Sequence, residues 1–202
     1  MTHALHKRKN YWNGARCLSL QRGSNDEDNP YMRSVVLHQW LFGYELPDTI
    51  MLLEDDGNLW VCATKKKCEF IRPAVGKDKD FTIHLLLRNK DDSNAENYAT
   101  LLKHVSQKTN DGISKVGVLL KERATNKEST GTSIVAPYEK KLDEAVESNT
   151  IELVDATPGL ALVMAVKDDS ECDLMKKSSV LSNKVMKHGF VKQLEDIIEE
   201  EK

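Results

Sequence analysis

The stretch from His38 to Met51, H-Q-W-L-F-G-Y-E-L-P-D-T-I-M, constrains the fold more than any other part of this chain. It places three aromatics (Trp40, Phe42 and Tyr44), a glycine and a Pro-Asp pair in a run too short for a helix plus a complete strand. A glycine just past an apolar helical run is a common stop, because it enters the left-handed region without a Cβ penalty. Pro47 then bars any continuing helix. The stretch is therefore a helix end, a tight turn and the start of a buried strand. Directly beyond it, Asp55-Asp56-Gly57-Asn58 separates two apolar runs and predicts a hairpin, since Gly and Asn tolerate the positive φ of such turns.

Read outward from this corner, the chain alternates strands with helices. The basic residues 1–13, with His3, His6, Lys7, Arg8 and Lys9, predict a short helix or tail that stops at Asn13-Gly14. Cys17 to Leu20 is a first strand, and the acidic run from Gly23 to Pro30 is a loop. Ser34 is placed to cap the helix that carries Val36, Leu37, Trp40 and Leu41. Strands are predicted over 49–53, 59–63, 82–87, 116–120 and 151–154. Thr64 is placed to cap a basic helix over 65–71, and Tyr98, Leu101, Leu102 and Val105 mark another. Residues 121–132 are polar and predict a surface loop or mobile insertion. A helix over 137–146 and a short one over 159–165 follow. The last segment, 171–200, is helical, with one stripe at Leu174, Leu181 and Val185 and a second at Phe190, Leu194, Ile197 and Ile198. Short strands interleaved with helices and one clear hairpin argue an α/β fold: a mixed β-sheet flanked by helices, followed by a long C-terminal helix.

Composition narrows the function classes. The 202 residues carry a net charge of −3, and 30% of them are charged. A duplex-DNA binder typically presents a basic stripe, so sequence-specific DNA binding is not indicated. A mildly acidic chain suits a basic partner such as a histone, but most acidic proteins bind nothing basic, and that plainer reading keeps the larger share. No apolar run approaches the ~20 residues of a membrane span, and the polar opening has no apolar signal core, which predicts an intracellular protein. Cys17, Cys62, Cys68 and Cys172 lack paired CxxC spacing and read as ordinary thiols of a reducing compartment.

No constellation for chemistry stands out. None of the histidines, His3, His6, His38, His84, His104 and His188, forms a helical metal pair with another, and there is no H-E-x-x-H. His84 and His104 read as structural or surface residues. A G-x-S-x-G elbow and a phosphate-cradling glycine loop are both absent. Glu45 and Asp48 flank the Pro47 turn as a nominal acid/base pair, but a turn cap and a solvated carboxylate explain them better. Lys65-Lys66-Lys67 is a basic first helical turn, more readily an exposed face than a phosphate site. Trp40, Phe42 and Tyr44 suggest a peptide groove, although helix-end spacing favours core packing for at least two of them. The expectation is no catalytic, cofactor or metal site.

The run Y-M-R-S-V-V-L-H-Q-W-L-F-G-Y-E-L-P-D-T-I-M (Tyr31 to Met51) resembles the hallmark stretch of the large subunit of the FACT histone chaperone, in its N-terminal peptidase-like domain. The similarity continues through A-T-K-K-K-C-E-F-I (Ala63 to Ile71), K-V-G-V-L (Lys115 to Leu119) and A-V-K-D-D-S-E-C-D-L-M-K-K-S (Ala165 to Ser178), in the family's order. It spans Tyr11 to the C-terminus.

That domain is similar to creatinase and prolidase-type aminopeptidases, which have a small N-lobe and a larger pita-bread lobe. The resemblance implies a tail at 1–13, a mixed-sheet N-lobe at 14–166 and, at 167–202, the first helix of a truncated pita-bread lobe. It implies no enzyme, because active relatives keep their metal ligands in the second lobe and the FACT family has lost peptidase activity. The implied role is that of a non-catalytic fragment of a nucleosome-reorganising complex in nucleus and chromosome, acting in transcription elongation, DNA replication and DNA repair. Core histones or chromatin-factor peptides are the implied partners, with the HMG-type small subunit joined through regions outside this sequence. The sequence departs from the family by a shortened helix before Trp12 and by the lack of all that follows the first pita-bread helix, which implies a fragment, a truncated gene model or a stand-alone remnant. The competing expectation is the N-lobe of a prolidase-class metallopeptidase, or a purely architectural lobe.

Overall fold

The structure, a computed structural model, describes residues 9–24, 31–77, 81–107, 112–127 and 133–200. A single 3-10 turn (Lys9–Trp12) precedes β1 (Cys17–Arg22), α1 (Arg33–Phe42), β2 (Thr49–Glu54), β3 (Asn58–Ala63) and α2 (Lys65–Ile71). Then come β4 (Thr82–Leu87), α3 (Ala95–Val105), β5 (Ser114–Val118), α4 (Leu120–Lys127), α5 (Val135–Glu147), β6 (Ile151–Asp155) and α6 (Thr157–Ala165). The chain closes with α7 (Asp169–Val185), a π-helical turn (Met186–Val191) and α8 (Lys192–Glu200). It divides into two compact units, Met1–Val163 and Met164–Lys202.

The first unit is built on a six-stranded sheet in the order β4-β3-β2-β1-β5-β6. β1 and β2 pair antiparallel, from Cys17 opposite Glu54 to Arg22 opposite Thr49. β3 returns antiparallel on β2, while β4 joins β3, β5 joins β1 and β6 joins β5 in parallel. Only β2 runs against its neighbours, so the sheet is mixed, as the pattern predicts. β1 and β2 are buried along their whole length, which their central place and helix-covered faces require. Side chains alternate between those faces. Cys17, Ile50, Leu52, Cys62, Val116, Val118 and Ile151 form one core cluster with Tyr98, Leu101 and Val105 of α3 and Val135, Tyr138 and Leu142 of α5. On the opposite parity lie Leu18, Leu20, Met51 and Val61, all buried. α1 packs beside β1, and α2 beside β3 and β4.

The two corners read from sequence form as expected. Gly43 ends α1 at φ 70° and donates its amide to Gln39 O at 2.9 Å. The β2–β3 hairpin turns at Gly57 (φ 95°), where Asp56 accepts from the Asn58 amide at 3.1 Å. One close approach demands glycine: a Cβ on Gly159, at the start of α6, would collide with the buried Trp12 ring.

Four local expectations are corrected. Ser34 lies inside α1 and makes no cap; Met32 precedes the helix, and the Glu122 carboxylate, brought from α4, accepts from the amides of Arg33 (2.6 Å) and Ser34 (3.3 Å) instead. Thr64 precedes α2, yet its side chain makes no capping hydrogen bond. The strand expected over 116–120 is β5, which ends at Val118, and Leu120 opens α4. That helix replaces much of the expected loop over 121–132, of which residues 128–132 lie outside the described residues. It has little apolar periodicity, and its anchors are ionic: Arg123 reaches Glu139 at 2.6 Å and Asp143 at 2.8 Å.

The second unit is the predicted long helix, interrupted once. A capping box starts it, with Asp168 accepting from the Glu171 amide (2.7 Å) and Glu171 accepting from the Asp168 amide (3.0 Å). Gly189 lies within the π turn, where a residue is inserted into the helical repeat. Leu174, Leu181, Val185, Phe190, Leu194, Ile197 and Ile198 are all exposed. The expected loop at 23–30 falls largely outside the described residues.

Candidate functional site

The three aromatics of the opening stretch are not core residues, contrary to the packing expectation. Trp40 is 39% and Tyr44 64% exposed, while Phe42 is half-buried with its ring edge-on to His38 at 5.9 Å. The reason lies in the way α1 is turned. Its buried face carries Ser34, Val35, Leu37 and His38, and its outer face carries Val36 and Trp40. Two polar side chains thus point in beside Val35 and Leu37, and two apolar ones point out beside Arg33 and Gln39. His38 is held at Nδ1 by the Leu46 amide (3.2 Å), and burial, with Arg22 and Lys67 nearby, pushes its pKa down to about 4. It is a neutral structural imidazole that ties helix to strand across the Gly43 corner.

Glu45 and Asp48 are not an acid/base pair. Glu45 accepts from Arg22 Nε at 2.7 Å. Asp48, at φ 50°, accepts from Ser133 Oγ and the Ile134 amide, both at 2.8 Å, and from Arg88 at 3.2 Å. It thus fastens the turn before β2 to the start of α5. Lys67 donates to Pro47 O, and its burial lowers its pKa, so it belongs to the corner. Lys65 and Lys66 are exposed and make no ion pair among the described residues.

His84 and His104, read separately as structural or surface residues, come together on Trp60. The indole is stacked on His84 at 4.0 Å and lies against His104 at 4.3 Å. Its Nε1 donates to the buried Glu54 carboxylate at 2.9 Å, which also meets His104 Nδ1 at 3.2 Å and Arg16 at 3.7 Å. Sequence reasoning missed Glu54, although the parity Ile50, Leu52, Glu54 puts its carboxylate on the core face. A second buried carboxylate, Glu139, sits between Arg123 and Gln21, whose amide, turned to suit its neighbours, donates to it at 3.1 Å and accepts from Ser19 Oγ at 2.7 Å. Both carboxylates are paired and hydrogen-bonded, as buried charge requires.

Among the described residues no three His, Cys, Asp or Glu side chains gather as a metal site. Cys17, Cys62 and Cys68 are buried and Cys172 is half-buried, all as free thiols. Burial raises the pKa of Cys17 and Cys62 to about 12, which leaves little thiolate to react. No helix among the described residues is long and apolar enough to cross a membrane. The buried acids act as fasteners, and what faces outward near the opening corner is aromatic and basic.

These features define a mixed-sheet α/β lobe whose acidic side chains hold its elements together and whose exposed corner suits recognition. Comparison with known proteins gives the family. Residues 1–159 match the FACT complex subunit SPT16 N-terminal lobe domain, and the chain belongs to that family. It is 33% identical over 159 residues to FACT complex subunit spt-16 of Caenorhabditis elegans, covering 76% of this chain and 14% of that protein. With FACT complex subunit SPT16 of Arabidopsis thaliana it shares 30% identity over 202 residues, covering 95% of this chain and 17% of that one. Among solved structures, the N-terminal domain of SPT16 from Eremothecium gossypii matches with a TM-score of 0.79 at 28% identity, covering 98% of this chain and 44% of that one. The corresponding domain from chickpea gives 0.77 at 23% identity, over 100% and 44%. The chain thus spans about a sixth of the length of the curated relatives.

Proposed function

We propose that this chain works as a non-catalytic interaction lobe of a FACT-type histone chaperone, in the nucleus and on chromosomes. Its family membership over residues 1–159 is the observation that carries this reading. The geometry supports it, because Glu45, Glu54, Asp48 and Glu139 are each committed to holding secondary structure and are not poised over an open cleft. In this reading residues 14–166 are the N-lobe, 1–13 its tail, and 167–202 the opening helix of a second, pita-bread lobe. The exposed apolar side chains of α7 and α8 are then the surface that such a lobe covers. The partners are core histones, met during nucleosome reorganisation in transcription, replication and repair, and the small subunit of the complex is joined through other regions.

The test is a pull-down of the chain with each of the two kinds of core-histone pair. Salt-sensitive capture of at least one pair is expected. Capture of neither refutes histone binding by this lobe and leaves it architectural.

A further inference from the structure

We infer that the corner formed by α1, the Gly43 turn and α2 is a docking surface for an acidic segment of a partner protein that carries an aromatic or aliphatic anchor side chain. It is a surface for an acidic ligand, distinct in chemistry from any that would take a basic histone.

The first observation is the mixed polarity of the two faces of α1. A surface helix ordinarily buries its apolar stripe and shows polar residues to water. Here Ser34 and His38 are turned inward at 2% and 0% exposure beside Val35 and Leu37, while Val36 and Trp40, one turn apart, are left facing out. Burying Ser34 and His38 carries a cost, because Ser34 Oγ and His38 Nε2 are buried without a hydrogen-bond partner.

The second observation is an exposed aromatic pair just past the end of α1. Past the Gly43 turn, Tyr44 rests on Phe70 of α2, ring centroids 6.2 Å apart, with both side chains more than half exposed. Two elements distant in sequence thus pool aromatic surface at one place. Exposed aromatic pairs of this kind supply the large, rigid contact area that binding sites use for anchors.

The third is the sign of the charge around the rings. Residues 31–44 contain no carboxylate, and residues 63–77 contain Lys65, Lys66, Lys67, Arg72 and Lys77 against Glu69 alone. Phe70 follows Lys66 by one helical turn, so that ring and ammonium share a helix face. Lys65 and Lys66 are exposed and unpaired among the described residues. The whole chain carries −3, so this corner is a local inversion of its charge. Apolar rings bordered by unpaired ammonium groups match carboxylates flanking an apolar side chain.

The test is fluorescence anisotropy of the intact chain with a short labelled peptide of Asp and Glu around one central Phe. Three companions are run beside it: the same peptide with Ser for Phe, a basic peptide with the same Phe, and a short DNA duplex. The acidic Phe peptide is expected to bind, and to weaken about tenfold with Phe70→Ala, with Trp40→Ala and with Lys66→Glu. Lys66→Glu changes only a solvated side chain, so it tests the surface even if an aromatic variant folds poorly. Equal binding by the Ser peptide, tighter binding by the duplex or the basic peptide, or affinity unchanged in Lys66→Glu overturns the inference.

Discussion

Glu122 holds the start of α1 from 88 residues away in sequence, and removing its carboxylate is the sharpest probe of how the corner is built. Its oxygens accept from the amides of Arg33 and Ser34, and Glu122 itself is 9% exposed. Loss of a helix cap costs roughly 0.5–2 kcal/mol, and loss of a negative charge at a helix N-terminus adds ~0.3–1 kcal/mol. Glu122→Ala removes both, so a loss of about 2 kcal/mol is expected. Glu122→Gln keeps an acceptor and loses the charge, so about 1 kcal/mol is expected. For a chain of this size these losses lower Tm by about 4–8 °C and 2–4 °C. Thermal melts followed by far-UV circular dichroism give the totals. Amide hydrogen exchange locates them: Arg33 and Ser34 should lose protection ahead of the β1 and β2 amides. Identical melts for both variants, with Arg33 and Ser34 still protected, would refute a cap supplied by Glu122.

Three further outcomes follow from the packing. His38 is neutral in the folded lobe at a pKa of about 4, against 6.5 when unfolded, so the unfolded state binds the extra proton between those values. Its contribution is complete above pH 6.5 and is lost as pH falls toward 4, by ~3 kcal/mol at most; His38→Asn, which can still accept from the Leu46 amide, should flatten that part of a stability–pH curve relative to the parent. Arg123→Met strands the buried Glu139 charge and should cost ~3 kcal/mol or more in denaturant unfolding, while the double variant with Glu139→Met should recover part of it; no recovery would contradict a paired buried charge. Gly159→Ala drives a methyl into the Trp12 ring and should cost ~1–3 kcal/mol by denaturant midpoint, and an unchanged midpoint would show that Trp12 moves freely.

Local chemistry was legible in the sequence, and long-range pairing was not. The Asp55–Asn58 turn and the Gly43 stop follow from backbone preferences of single residues, and both form where expected. The strands follow from apolar runs between turn signals, and only β5 is displaced, because Leu119 and Leu120 extend its apolar run into the next helix. α4 was missed because it is held by Arg123 and Glu122 and not by an apolar stripe, and periodicity sees only stripes. The cap on α1 was misassigned to Ser34 for a related reason: a local capping residue can be read from sequence, whereas a carboxylate arriving from another helix cannot. The aromatic corner was misread as core because apolar spacing gives a helix its period without saying which side faces the sheet. Here Ser34 and His38 share the inner side with Val35 and Leu37, and Trp40 is left outside. The family hallmark at Tyr31–Met51 was the clearest functional signal in the sequence, and it lies within the residues 1–159 that match the FACT-type lobe.

Histone recognition by this lobe alone is what the proposed function most depends on. The direct measurement is a titration of the 202-residue chain into each labelled core-histone pair at near-physiological salt, repeated at higher salt. Saturable binding to at least one pair, weakening as salt rises, is expected. Flat titrations with both pairs, from a chain whose melt shows it to be folded, would contradict it.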